Sequence, residues 1–569
     1  MAMTRTLARP FALLLAALLL AVLTAAAGSC VPKPKSNAGS ATSTPGTTGS
    51  GAQGVPAATT AAEYRWPLPD DARSLDPAQV TDTVSDSVVR RIFNTLVKFD
   101  VNANVVDDLA ESHTISPDGL TYTFKLRKDV RFHNGQPLTA EDMAYSLRRV
   151  LDPKTVSPRA NLLYYVKGAQ AYSTGKTPVA DGVAGIVVVD PQTLKLVLEQ
   201  PYAPFINVLC MSDFAAVPRA EVERDPLGFG DKPVGSGPFV FVSWAKGDRI
   251  TLKANRDYFK KQPSIETLVF RIIKDEKTRF ENFKTGTLEH CDIPPSQISE
   301  VRGDPRLNAM VNGVPAMDMY AYGFNCEQAP FKDNTPLRRA LNYAVDKQNI
   351  INNIWSGLVT EQKTFVPDGM FYFWKDAPGY PYDPEMAKKL LTEAGYAGGK
   401  GLPELVLNID LQPTNRLVAQ AVQQDLAKVG VTVRIETVQW GEFLTKIYDG
   451  QSLFFQNTWL ADYPDPDNWL YVLLHSENFG EKGNVTRWSN SEFDHLVKQA
   501  QVELDPARRA ELYGKAEQIA YQEAPWLMLF WKNSSTLIQP YVKGLTITKM
   551  DRTPQLNNAP IDDVTSEAH

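Results

Sequence analysis

Residues 404–435 read E-L-V-L-N-I-D-L-Q-P-T-N-R-L-V-A-Q-A-V-Q-Q-D-L-A-K-V-G-V-T-V-R-I. The first eight read as a strand, with Leu405, Val406, Leu407, Ile409 and Leu411 as its apolar residues. A helix is predicted over 414–428, with Thr414 at its N-cap and Gly430 just beyond its end. Val431, Val433 and Ile435 then alternate with polar residues, as a half-buried strand does. Strand, helix and strand in about thirty residues make a βαβ unit, so at least one sheet contains parallel pairs.

Working outward, the stretch T-Y-T-F-K-L-R-K-D-V-R-F-H-N-G (121–135) alternates like a strand and ends in an Asn-Gly turn. Thr139 followed by Asp142 caps a helix whose apolar face is Met143, Leu147, Val150 and Leu151. A second helix opens at Thr335-Pro336 and places Leu337, Ala340, Leu341, Ala344 and Val345 on one stripe. A helix over 506–522 leads into the buried-strand candidate W-L-M-L-F-W (526–531). At 569 residues the chain exceeds one core, and the mixture of hairpins and βαβ units predicts a multi-lobed α/β protein.

The N-terminus reads as a targeting segment. Arg5 and Arg9 precede the apolar run Phe11 to Leu23, and A-G-S-C ends at Cys30. This order resembles the lipobox of bacterial lipoproteins, with Ala27 where a leucine is usual. The resemblance implies a signal peptide over 1–29 and a lipid on Cys30; a plain secretory signal or an uncleaved helix is the alternative. Residues 31–62 are rich in Ser, Thr, Gly, Ala and Pro without aromatics, and predict a flexible tether. Cys210, Cys291 and Cys326 lack CxxC spacing, and spacing leaves their pairing open.

A net charge of -6 argues against nucleic acid, which needs a basic face. Enzyme motifs are missing: no H-E-x-x-H, and G-S-G at 235–237 has the wrong spacing for a nucleophile elbow. G-A-Q-A-Y-S-T-G-K-T (168–177) has six residues between its glycines, not the four of a phosphate loop, and reads as a surface loop. The histidines are scattered singly, which favours structural roles. No cofactor or metal is expected.

One segment invites a ligand. In W-L-A-D-Y-P-D-P-D-N-W (459–469), P-D-P-D reads as a solvated corner. Calcium would want a glycine bend and a closing glutamate, and neither is present. Asp462 differs, because it leaves an apolar strand beside Trp459, where open α/β sheets bind their ligands.

Five segments together resemble the extracytoplasmic oligopeptide- and dipeptide-binding proteins of ABC importers, the bacterial extracellular solute-binding family 5. They are S-L-D-P (74–77), the run 123–142, V-G-S-G-P-F (234–239), the run 329–347 and W-L-A-D-Y-P-D-P-D-N (459–468). The resemblance covers the chain from about Tyr64 onward. It implies a class II type two-lobed clamp with a third, smaller domain. The first lobe would comprise 63–98, 219–317 and 534–569; the small domain 99–218; the second lobe 318–533. A captured peptide would be buried between the lobes and handed to a membrane permease with its ATPase, and the protein is expected to be a monomer.

In that family, the aspartate matching Asp462 grips the peptide's α-ammonium. Trp459 and Trp440 match pocket-lining positions, and Tyr322 and Asn325 join the implied ligand set. Relatives read the peptide's carboxylate with basic residues, where this chain carries Asn415, Gln456 and Trp355. Arg159 and Arg416 lie near enough in the match to substitute. A peptide of unfixed length is therefore the leading expectation. A sugar, opine or metal chelate in the same clamp is the second, and an envelope hydrolase the third.

Overall fold

The computed structural model describes residues 63–176, 182–548 and 550, with the backbone of 565–566. The signal-like segment, Cys30 and the tether fall outside the described residues.

The βαβ unit forms as its pattern requires. Leu405–Ile409 and Val433–Thr437 pair in parallel across the helix Pro413–Lys428. The N-cap of that helix is Gln412 rather than Thr414, because Pro413 takes the first helical position, where its missing N–H is not needed. Its buried face, Val418, Val422 and Leu426, meets Leu407, Leu341 and Leu529 in one core. On its other edge, Leu405–Ile409 runs parallel to Phe454–Leu460.

This unit is one end of a seven-stranded sheet. The order is His290–Asp292, Trp526–Ile538, Val311–Phe324, Phe454–Leu460, Leu405–Ile409, Val433–Thr437, with Val359–Glu361 also paired to Trp526–Ile538. The two long strands, Val311–Phe324 and Trp526–Ile538, are antiparallel partners along their whole length. Their register slips between Pro315 and Asp318. On one side of the slip they pair with His290–Asp292, on the other with Phe454–Leu460.

A separate four-stranded sheet joins Glu63–Leu68, Thr267–Ile272, Arg249–Ala254 and Phe239–Ala245, and only the first pair is parallel. Trp66, Val88, Phe239 and Phe270 fill its core. Gly235 and Gly237, which fail an enzyme motif but belong to a segment that carries the family resemblance, lie against the end of the helix Thr83–Ile92. A Cβ on Gly237 would stand 2.5 Å from the carbonyl carbon of Ile92, so only glycine permits the approach.

The smaller domain is an antiparallel sheet of Ala110–Ile115, Thr121–Leu126, Thr193–Val197 and Ile186–Asp190. The helix Ala140–Leu151 covers it, held at its start by the predicted capping box of Thr139 and Asp142. Its core, around Phe124, Met143 and Leu194, runs on into Trp469, Tyr513 and Trp526. Residues 169–173, expected as loop, form a short helix. The three described cysteines are unpaired thiols.

Candidate ligand-binding site

A cavity of about 370 Å³ opens between the four-stranded and seven-stranded sheets. One wall carries Asp70, Thr83, Lys274, Glu276 and Asp292; the other carries Trp355, Asp410, Thr414, Asn415, Trp440 and Gln456. The sequence candidates Asn415, Gln456, Trp355 and Trp440 are thus gathered in one place. The amide nitrogens of Asn415 and Gln456 donate to the two oxygens of Asp410, at 2.8 and 3.0 Å. This wall presents a carboxylate where a carboxylate reader would present a guanidinium. The basic groups opposite are already engaged: Lys274 pairs with Asp70 at 2.9 Å and Arg279 with Asp292 at 3.3 Å.

The strand Phe454–Leu460 leads from this cavity to Asp462. Gln456 and Thr458 line the cavity, and the chain leaves the strand before Asp462. At the rise of an extended chain, six residues span at most roughly 20 Å. Asp462 keeps 23% of its side chain exposed and faces the Arg159 guanidinium at 3.6 Å. Asn468 fixes the corner, accepting from the Asp462 amide and the Trp459 indole, each at 3.0 Å. The guanidinium of Arg159 lies over the Trp459 ring, 5.5 Å from its centre. Burial raises the Asp462 carboxyl above its ordinary range, and the charge of Arg159 opposes that rise.

The other two candidates are placed apart from this cleft. Tyr322 is buried in the core, its ring edge-on to Phe454. Asn325 is buried and donates to the Gly450 carbonyl at 2.9 Å, holding a turn. Arg416 does not line the cavity.

Asp465 and Asp467, expected on a solvated corner, are both buried. Asp465 accepts from Arg509 at 3.0 Å. Asp467 accepts from Tyr463 at 2.7 Å, Gln501 at 2.8 Å and Tyr202 at 2.9 Å. Tyr202 comes from the smaller domain, so this carboxylate ties that domain to the chain around Trp469. Sequence reasoning also missed Asp410, Glu276 and Asp213, which carry no local motif.

The family model "Bacterial extracellular solute-binding proteins, family 5 Middle" matches residues 104–481. The chain belongs to this family. This family-5 protein is 33% identical to the heme-binding protein A of Haemophilus influenzae over 82% of its own length and 87% of the relative's. It is 31% identical to the oligopeptide-binding protein OppA of Bacillus subtilis, over 83% and 88%. Among solved structures, the murein tripeptide binding protein MppA of Escherichia coli matches with a TM-score of 0.83 at 25% identity, covering 90% of this chain and 100% of that one. The fold is the two-lobed clamp of such proteins, whose family is extracytoplasmic.

Proposed function

We propose that this family-5 protein captures peptides by their amino end in the cleft between its lobes and delivers them to an ABC permease and its ATPase. The observation that carries this reading is Asp462, a partly exposed carboxylate at the end of the strand that floors the cleft. A buried ammonium needs such a counter-charge. Main-chain pairing along the cleft would give affinity without reading side chains, and Trp440 and Trp459 would line tolerant pockets.

At the other end Asp410 stands behind Asn415 and Gln456, and Lys532, over the Tyr320 ring, is the further basic residue of the described lining besides the paired Lys274 and Arg279. The described lining holds no His, Cys, Met or Tyr suited to a haem iron. A neutral sugar can donate hydroxyls to these carboxylates but brings them no counter-charge, which an ammonium does. We assign the first lobe to 63–98, 219–317 and 534–569, the small domain to 99–218 and the second lobe to 318–533. The register slip at Pro315 and Asp318 falls at one of these boundaries and supports a hinge there. Lipid on Cys30 and the tether would hold a monomer at the membrane; no bond of the ligand is broken.

The test is calorimetry with short peptides. Asp462→Asn is expected to weaken binding about a hundredfold or more, by the cost of unpairing a buried charge. Blocking the peptide's amino group by acetylation is expected to do the same. Unchanged affinity in both comparisons would overturn the reading.

A further inference from the structure

Beside Asp462 lies a cluster of buried charges drawn from three parts of the chain. On the helix Thr83–Ile92, Asp86 accepts from Arg90 at 2.6 Å and from the Ser212 hydroxyl at 2.5 Å. Arg90 also donates to the Cys210 carbonyl at 3.4 Å. Asp213 follows Ser212, is 5% exposed, and its Oδ1 has no hydrogen-bond partner. Arg159 is 4% exposed, reaches Asp462 at 3.6 Å, and its Nε likewise lacks a partner. The charges of Arg159, Asp462, Asp86 and Arg90 all bear on Asp213. Of the other elements packed against it, the helix Ala140–Leu151 contributes Arg149, which is held by Asp76 at 2.7 Å. Burial raises the Cys210 thiol and the Tyr448 phenol, so both stay neutral.

Around Asp213 the cluster therefore has three carboxylates, Asp86, Asp213 and Asp462, against two guanidiniums, Arg90 and Arg159, while Asp82 and Arg73, which face Tyr448, offset one another. It is one cation short. A buried carboxylate without a counter-charge is strongly disfavoured, so an empty cleft must supply a proton instead. The group best placed to hold it is Asp213, which has an unused oxygen and which burial pushes up to about 7.

We propose that Asp213 is the second carboxylate of the amine site, and that the ligand's ammonium, entering beside Asp462, displaces a proton from it. This rests on the ammonium reading above. The ammonium arrives already charged, the carboxylic acid of Asp213 ionises, and its proton leaves for solvent; no covalent bond forms to the ligand. Amine capture is thereby linked to proton release, and affinity climbs as pH rises toward 7.

The experiment is titration of trialanine into ligand-free protein near pH 6, in two buffers of different ionisation enthalpy. The unmodified chain is expected to release close to one proton per peptide, with affinity rising about tenfold between pH 5 and pH 6. Asp213→Asn is expected to release none and to lose that pH dependence, while Asp213→Glu keeps both. No proton release from the unmodified chain, or undiminished release from Asp213→Asn, overturns the inference and leaves the peptide reading standing if Asp462→Asn still binds poorly. If trialanine does not bind, or N-acetyl-trialanine binds equally well, the peptide reading falls and this inference with it.

Discussion

The hydroxyl of Thr414 donates to the carboxylate of Glu276 at 2.7 Å, and the two residues stand on opposite walls of the cavity. Glu276 is raised by its own burial, and the Thr414 bond offsets part of that rise. The bond joins the walls when the cleft is shut. Thr414→Val keeps the shape but removes the donor. A hydrogen bond to a charged group contributes about 1.5–3 kcal/mol, so peptide affinity should drop roughly tenfold to a hundredfold. Calorimetry measures this directly, and an unaltered dissociation constant would show that the bond plays no part in closure.

At the far end of the cleft, Asn415 and Gln456 stand where relatives are expected to carry basic readers and both donate to Asp410, so on the proposed reading a peptide's carboxylate gains little there. C-terminally amidated peptides should bind within about threefold of the free acids, less than 1 kcal/mol apart. A loss of more than tenfold on amidation would reveal a carboxylate partner and sink this point.

Asp467 is a structural carboxylate. Truncation to alanine strands the donors of Tyr202, Tyr463 and Gln501 in the interior, at about 1–3 kcal/mol for each unsatisfied group. Asp467→Ala should lower the chemical denaturation midpoint by the equivalent of about 3–5 kcal/mol. Asp467→Asn, which keeps an acceptor oxygen, should lose less. Equal midpoints for the alanine variant and the parent would dismiss the network as a source of stability.

Stability should rise as pH falls from 8 toward 5.5. Burial pushes Asp213 and Glu517 up to about 7 and Asp467 up to about 6. Across that window the folded chain binds these protons while the unfolded chain does not, so protonation favours folding. His133 acts the other way, because burial lowers it to about 4 and only the unfolded chain charges it below 6.5. Burial lowers His475 in the same sense, and the three raised acids, acting over a wider span of pH, outweigh the two histidines. Below pH 4.5, exposed acids whose ionised form is hydrogen-bonded, such as Asp118 and Asp275, reverse the trend. Calorimetric Tm values at pH 8 and 5.5 check the sign, and a higher Tm at pH 8 would contradict it.

What could be read in the sequence was local. The βαβ unit of 405–437 and the capped helix Ala140–Leu151 follow from periodicity and capping residues within a few turns of one another. Val311–Phe324, the strand that joins both ends of the molecule, has no such signature, because Gly313 and Pro315 interrupt its pattern. Its strand character comes from Trp526–Ile538, more than two hundred residues away. The same distance problem hid the site. Asp462 was legible as a carboxylate at a strand end. Its neighbours Asp86 and Asp213, and the cavity pair Glu276 and Thr414, meet only after the chain has folded. Asp465 and Asp467 were misread because a turn-forming sequence says nothing about the arginine and tyrosines that later cover it.

The strand Trp526–Ile538 also dictates when the molecule can become whole. His290–Asp292 waits for Thr536–Ile538, and Glu63–Leu68 waits for Thr267–Ile272. Pairings of such long sequence separation form slowly, because the intervening chain must be drawn together before any contact rewards it. The seven-stranded sheet therefore closes only once Trp526–Ile538 is in place between His290–Asp292 and Val311–Phe324.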